Sequence, residues 1–189
     1  ELEAKQKSAE QQIKALVATL RETKYGRLRY PEPATLAEAR KLLPPNAALL
    51  AYHVLPEQTI LFVITKTAFV SRPVSLTRTL LAQKVSALLS KLGAANSSLP
   101  ELATASSELY AALVGPAAGD LKGLKRLVII PDGPLCYLPF TALVSGKDAK
   151  EQPIYLTDEF TVSVIPSLSA LVASREARPK TRPASTRML

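Results

Sequence analysis

The sequence is poor in the residues that usually mark a reactive or ligand-binding site. Its 189 residues include one cysteine, one histidine, seven glycines and no tryptophan, and aromatic residues make up only 5%. A single cysteine cannot form an internal disulfide, and metal sites generally need several Cys or His ligands. The glycines form neither a G-x-G-x-x-G nor a Walker motif, so no phosphate-binding loop is predicted. The sequence therefore predicts neither a metal nor a cofactor.

Long apolar runs are also absent. No stretch approaches the roughly 20 apolar residues that are needed to cross a bilayer, and the charged opening ELEAKQKSAEQQ is unlike a signal peptide. Hydrophobic residues nevertheless make up 47% of the chain, which is enough to form a packed core. We therefore expect a soluble, cytoplasmic protein with one domain, alone or with an appendage.

The net charge of +8 is concentrated at the two ends of the chain. Residues 1–30 carry seven basic and four acidic side chains, and residues 175–189 carry five and one. The middle of the chain, 31–174, is nearly neutral, with twelve basic and eleven acidic side chains. Nucleic-acid-binding domains usually cluster Lys and Arg along one face, often beside aromatic residues, and neither pattern occurs here. Binding of the basic ends to nucleic acid or an anionic membrane surface therefore stays an alternative.

Residues 1–30 are predicted to form an N-terminal helix followed by a linker. Ile13, Leu16, Val17 and Leu20 have helical spacing and form one apolar stripe among charged residues. The first dozen residues offer this stripe almost no apolar partners, and the chain does not begin with Met. We therefore expect this helix to be the end of an upstream helical repeat region.

Strands and helices alternate in the rest of the chain, which is typical of an α/β fold. Three runs at 47–55, 59–65 and 68–74 are too closely spaced for intervening helices and predict an antiparallel meander. Two β-branched runs at 127–130 and 161–165 are typical of strands buried on both faces. The sequence leaves open whether these five strands form one mixed sheet or two separate sheets.

Helix boundaries are indicated by capping patterns. Thr35 with Glu38, and Ser98 with Glu101, have capping-box spacing, while Gly93 is predicted to cap the end of a helix. The predicted helices after the N-terminal one are 36–42, 77–93, 99–114 and a short helix that begins at Ser167. The adjacent pair Asp158-Glu159 is predicted to lie in a solvated turn.

Cys136 and His53 are the residues from which a thiol nucleophile and its base would have to come. His53 lies within the first predicted strand and has the alternation of an ordinary sheet residue. Cys136 lies between Leu135 and Tyr137 in the loop after another strand, and a free cysteine is most often a small buried hydrophobe. Nothing in the spacing brings the two together, so a structural role is predicted for both.

The most distinctive stretch is LVIIPDGPLCYLPFTAL, at 127–143. A buried strand runs into a Pro-Asp-Gly turn, and a Leu-Pro-Phe sequence follows. A later strand, TVSVI, ends in Pro-Ser at the start of a helix. The residues of the first stretch alone indicate a structural corner. The motif positions of the two segments are Pro131, Asp132, Gly133, Leu138, Pro139, Phe140, Pro166 and Ser167.

The order of these segments resembles the N-terminal half of CHAT proteins, which are caspase-like domains that typically follow TPR helices in bacteria. The resemblance is carried by strand–PDG-x-L-x-x-LPF-x-AL and then strand–PS-x-S-x-L. It implies that 36–174 form the N-terminal part of a CHAT-like domain, and that 175–189 form a basic, Pro-rich loop leading to a missing strand. The implied fold is α/β: an antiparallel meander plus a mostly parallel caspase-like sheet covered by helices, cut short, with an N-terminal helix.

The family's chemistry is that of a cysteine endopeptidase, in which a His preceding Gly acts as the base and a Cys attacks the peptide carbonyl. Both lie beyond the PS-x-S helix in the family, and this chain ends before either. Cys136 occupies a position where the family often has His, in an LHYLPF-like run, so neither it nor His53 inherits a catalytic role. We therefore expect a non-catalytic portion of such a peptidase, inactive alone, with no catalytic, cofactor-binding or metal-binding residues.

A second interpretation is a CHAT-like scaffold or protein-interaction module that has lost catalysis. Whether the complete protein is an enzyme depends on whether residues downstream supply both the His and the Cys. In either case the resemblance implies protein partners or a peptide substrate engaged through upstream helical repeats.

Overall fold

The computed structural model describes residues 2–22, 33–94 and 98–176. Ala39–Pro166 forms one compact unit, and the described residues before and after it form a second. The predicted linker at 23–30 and most of the basic loop predicted for 175–189 lie outside the described residues.

The compact unit is built on one mixed sheet of five strands in the order β3-β2-β1-β4-β7. Strand β1 is antiparallel to β2 and parallel to β4, while β2–β3 is antiparallel and β4–β7 parallel. The meander and the two later strands therefore share one sheet. The strands are β1 (Ala47–Val54), β2 (Thr59–Ile64), β3 (Phe69–Val74), β4 (Arg126–Ile130), β5 (Val144–Lys147), β6 (Pro153–Tyr155) and β7 (Thr161–Val164).

The helices begin where the capping patterns predict. The Thr35 N–H donates to a Glu38 carboxylate oxygen at 2.7 Å, and the Ser98 hydroxyl accepts from the Glu101 N–H at 3.4 Å. Gly93 is the last residue of its helix rather than the cap, since Ala94 follows in an extended conformation. The helices are α1 (Leu2–Arg21), α2 (Leu36–Leu42), α3 (Arg78–Gly93), α4 (Leu99–Leu113), α5 (Leu156–Glu159) and α6 (Leu168–Glu176).

The core lies between helices α3 and α4 and one face of the sheet. Strand β1 contributes Leu50, Tyr52 and Val54 to this core, because alternate residues of a strand share a face. The two helices contribute residues at helical spacing, among them Leu81, Val85, Leu88, Leu109 and Leu113. As expected from the low aromatic content, most of the buried side chains are aliphatic.

Three elements, β5, β6 and α5, have no counterpart in the predictions from sequence. Strands β5 and β6 form a separate two-stranded antiparallel sheet, and α5 follows β6 directly. Asp158 and Glu159 are solvent-exposed, as predicted, but they lie in the four-residue helix α5 rather than in a turn. The Asp158 carboxylate accepts the Tyr155 N–H at 2.7 Å and so satisfies a backbone donor at the start of that helix.

Among the described helices, none combines the length and the apolar character needed to cross a membrane. The N-terminal helix α1 carries its apolar residues Ile13 and Leu16 in exposed positions.

Candidate functional site

Three parallel strands end at the same edge of the sheet: β1 at Val54, β4 at Ile130 and β7 at Val164. Ligands of open α/β sheets usually bind beyond the carboxyl ends of such strands, so this edge is the candidate site. The Pro-Asp-Gly motif follows β4 and Pro166 follows β7. The motifs singled out in the sequence therefore begin at the edge where function is expected.

Asp132 continues the contact between β1 and β4 after their backbone pairing ends. The last paired residues are Ala51 and Ile130. Beyond them, the Asp132 carboxylate accepts the N–H of Val54 at 2.7 Å. The same carboxylate oxygen lies 3.6 Å from Nδ1 of His53, whose side chain is largely exposed. The shorter of these two contacts is the hydrogen bond from Val54, so Asp132 serves mainly as an acceptor for the end of β1.

Arg78, at the start of α3, binds the other backbone group of the same residue. Its guanidinium donates to the Val54 carbonyl oxygen at 2.5 Å. Gly133 packs against both partners: a Cβ on Gly133 would lie 3.5 Å from Arg78 Nη1 and 3.7 Å from Val54 Cβ. Its φ of +53° is in the left-handed region that favours glycine. We call Val54, Arg78, Asp132 and Gly133 the strand-end cluster. Sequence reasoning did not identify Arg78, since no local motif surrounds it.

The Leu-Pro-Phe part of the motif anchors the turn in the core. Gly133–Tyr137 forms a 3₁₀ helix, in which residues three apart share a face. Leu135 and Leu138, which are three residues apart, are accordingly buried. Cys136 and Tyr137 lie between them and are exposed, Tyr137 at 75%. The prediction that Cys136 is a small buried hydrophobe was therefore wrong, because the rotation of the 3₁₀ helix turns it outward.

Phe140 connects the motif to the centre of the sheet. It is 2% exposed, and its ring centroid lies 5.8 Å from that of Tyr52 on β1. The Tyr52 hydroxyl donates to the carbonyl oxygen of Leu113 at the end of α4, at 3.0 Å. Burial raises the pKa of Tyr52, so the hydroxyl keeps its proton for this bond. The motif, β1 and α4 are thereby held together.

Ser167 begins helix α6 in the way the Pro-Ser motif predicts. Its hydroxyl accepts the N–H of Ala170 at 3.0 Å, the usual bond of an N-terminal cap. Two residues later, the Ser169 hydroxyl accepts the N–H of Ala34 at 3.0 Å. Both hydroxyls of the motif thus have structural partners.

The histidine and the cysteine of the chain do not form a bonded pair. His53 Nδ1 approaches Asp132, and no hydrogen bond joins Cys136 to His53 within the described residues. The described part of the chain also contains no group of three His, Cys, Asp or Glu side chains able to hold a metal ion. The contacts of the strand-end cluster instead hold the end of β1 in place.

No curated protein matches the chain. The family model of the CHAT domain matches residues 103–188, slightly less than half of the sequence. The matched segment includes most of α4, strands β4 to β7, the Pro-Asp-Gly and Leu-Pro-Phe motifs and helix α6. The resemblance predicted from the sequence is therefore confirmed: over 103–188, this chain matches the CHAT domain family.

Proposed function

We propose that these residues are the N-terminal, non-catalytic portion of a CHAT-family cysteine peptidase domain, linked upstream to TPR helices in a cytoplasmic protein. The observation that carries the proposal is the CHAT match at residues 103–188. The role of this portion would be to build one side of the sheet and to connect that sheet to the repeats. The exposed Ile13 and Leu16 on α1 support the connection, because they leave an apolar stripe for a neighbouring helix.

The surroundings of Cys136 and His53 support the absence of catalysis in this chain alone. A nucleophilic cysteine needs a base within hydrogen-bond reach of its sulphur. His53 instead faces the Asp132 carboxylate, which accepts the N–H of Val54. A thiol at Cys136 thus has no base prepared for it among the described residues.

The two outer strands of the sheet, β3 and β7, differ in a way that supports a further strand beside β7. The N–H groups of Thr161 and Ile165 donate to β4-side carbonyls, so those of the alternate residues Val162 and Val164 point away from β4. Strand β7 contains neither proline nor a charged residue, whereas the opposite edge strand β3 contains Arg72 and Pro73, features that block edge pairing. We propose that a later strand of the complete CHAT domain pairs with β7.

The purified 189-residue chain is expected to be inactive as a peptidase. The measurement is cleavage of a fluorogenic peptide library with and without a thiol-blocking reagent, compared with the chain extended by its natural continuation. Cleavage by the short chain that is lost in Cys136→Ser would contradict the proposal. If the extended chain is also inactive and its continuation lacks a His-Gly and a Cys, the protein is a scaffold rather than a peptidase.

Strand β7, which pairs only with β4 among the described residues, is expected to make the isolated chain associate as its concentration rises. Val162→Pro removes an N–H that points away from β4, so it should weaken association by about tenfold or more while the fold persists. Ser163→Pro is the matched control, since its N–H points toward β4 and its loss should lower thermal stability instead. Sedimentation equilibrium measures the association. A wild-type chain that stays monomeric at high concentration would contradict an open edge.

A further inference from the structure

A concave surface lies away from the strand-end cluster and shares no residue with it. This cleft, of about 960 Å³, is bounded by the end of α3, the first half of α4 and the β5–β6 hairpin. Small-molecule sites typically have volumes of about 300–1,000 Å³. Its walls include Leu92, Leu99, Ala103, Gly146, Pro153 and Tyr155. The cleft is therefore large enough for a ligand and mainly apolar in its lining.

The charged side chains of the cleft are neutralised in pairs. Lys147 and Glu151 line the cleft and bind each other at 2.7 Å. Beside the cleft, Lys91 and Glu101 join the end of α3 to α4 at 3.0 Å. The hydrogen bond from Lys147 lowers the pKa of Glu151, which favours the charged carboxylate in this pair. These pairs leave little net charge to attract an ionic ligand.

The hydroxyl groups of the α4 wall already have acceptors within the protein. Thr104 donates to the Pro100 carbonyl at 2.9 Å, and Ser107 donates to the Thr104 carbonyl at 2.9 Å. Ser106, which is buried, donates to the Ala142 carbonyl at 2.5 Å. These hydroxyl protons are therefore not directed at the cleft. The α4 wall would therefore contribute apolar contact rather than donated hydrogen bonds.

Gly146 leaves part of the hairpin wall open. A Cβ at this position would meet no atom within 4 Å, and its φ lies outside the left-handed region. A larger side chain can therefore be introduced at Gly146, a residue of the cleft wall, without steric conflict, and we expect it to narrow the cleft. The position offers a direct way to fill the space.

We propose that this cleft binds a small, uncharged and predominantly apolar molecule. The paired charges disfavour an acidic or basic ligand, because an ionic group would have to compete with an existing ion pair. The volume and the mainly aliphatic lining match a compact apolar ligand, and apolar side chains at the mouth, such as Leu99 at 76% exposure, would be covered by it.

The test is a fluorescence titration of the 189-residue chain with the neutral apolar probe N-phenyl-1-naphthylamine. Saturable binding that does not change with salt is expected, with weaker binding of the anionic probe 1-anilinonaphthalene-8-sulfonate. Gly146→Leu on the hairpin wall and Ala103→Leu on the α4 wall should each weaken binding of the neutral probe by about tenfold. Gly119→Leu is the matched control, since Gly119 is also in open space but outside the cleft, and it should bind as the wild type does.

The two fill-in variants, Gly146→Leu and Ala103→Leu, lie on different walls of the cleft, so the test can still be made if one of them misfolds. A cooperative thermal unfolding transition shows that a variant is folded. The proposal is overturned if the probe does not saturate. It is equally overturned if the folded fill-in variants bind as tightly as Gly119→Leu, which would place the probe elsewhere, or if the anionic probe binds more tightly than the neutral one.

Discussion

Replacing Phe140 with alanine is expected to lower the free energy of unfolding by about 3–5 kcal/mol. The side chain is 2% exposed and packs in the core cluster beside the ring of Tyr52. Phe140→Ala removes a buried aromatic ring and leaves a cavity in the core cluster. Equilibrium urea denaturation, followed by far-ultraviolet circular dichroism, measures the change.

Tyr137 provides a control within the same motif. Its side chain is 75% exposed, so Tyr137→Ala should change the free energy of unfolding by no more than about 0.5 kcal/mol. The contrast between two aromatic residues three positions apart tests the orientation of the turn directly. Equal losses for the two variants would show that the turn does not present Phe140 to the core and Tyr137 to solvent.

The strands of the main sheet were predicted from sequence to within one residue at each end. They are apolar, β-branched runs bounded by turn residues, and this local pattern is enough to locate them. Their arrangement in one sheet was not predictable, because the parallel pairing of β1 with β4 joins segments that are far apart in sequence. The β5–β6 hairpin was missed because its strands of four and three residues contain glycine and proline and lack alternation.

The candidate site was predictable in part for the same physical reason. Pro-Asp-Gly indicates a turn from local chemistry alone, and the turn lies where expected. The partners of Asp132 were not predictable, since Val54 and Arg78 come from other parts of the fold. The exposure of Cys136 depends on the rotation of a 3₁₀ helix, which the burial tendency of free cysteine does not determine.

Asp132→Ala is expected to lower the free energy of unfolding by about 2 kcal/mol, the usual cost of removing a charged hydrogen-bond partner. The substitution leaves the Val54 N–H without its acceptor at a point where the pairing of β1 with β4 has ended. Asp132→Asn keeps an oxygen that can accept this N–H, so its cost should be about half as large. An equal loss for both variants would mean that the charge, rather than the acceptor, is what β1 requires.

Arg78→Met extends this test to the other backbone group of Val54. It removes the donor to the Val54 carbonyl while keeping much of the side chain's apolar length. Since Arg78 and Asp132 hold the same residue, the double variant should lose less than the sum of the single losses, with a coupling of at least about 0.5 kcal/mol. Once one partner is gone, the end of β1 is already loosened and the second bond stabilises it less. Simple additivity would contradict a strand-end cluster that acts as a unit, and would leave the Pro-Asp-Gly motif as a turn whose effect on β1 is independent of α3.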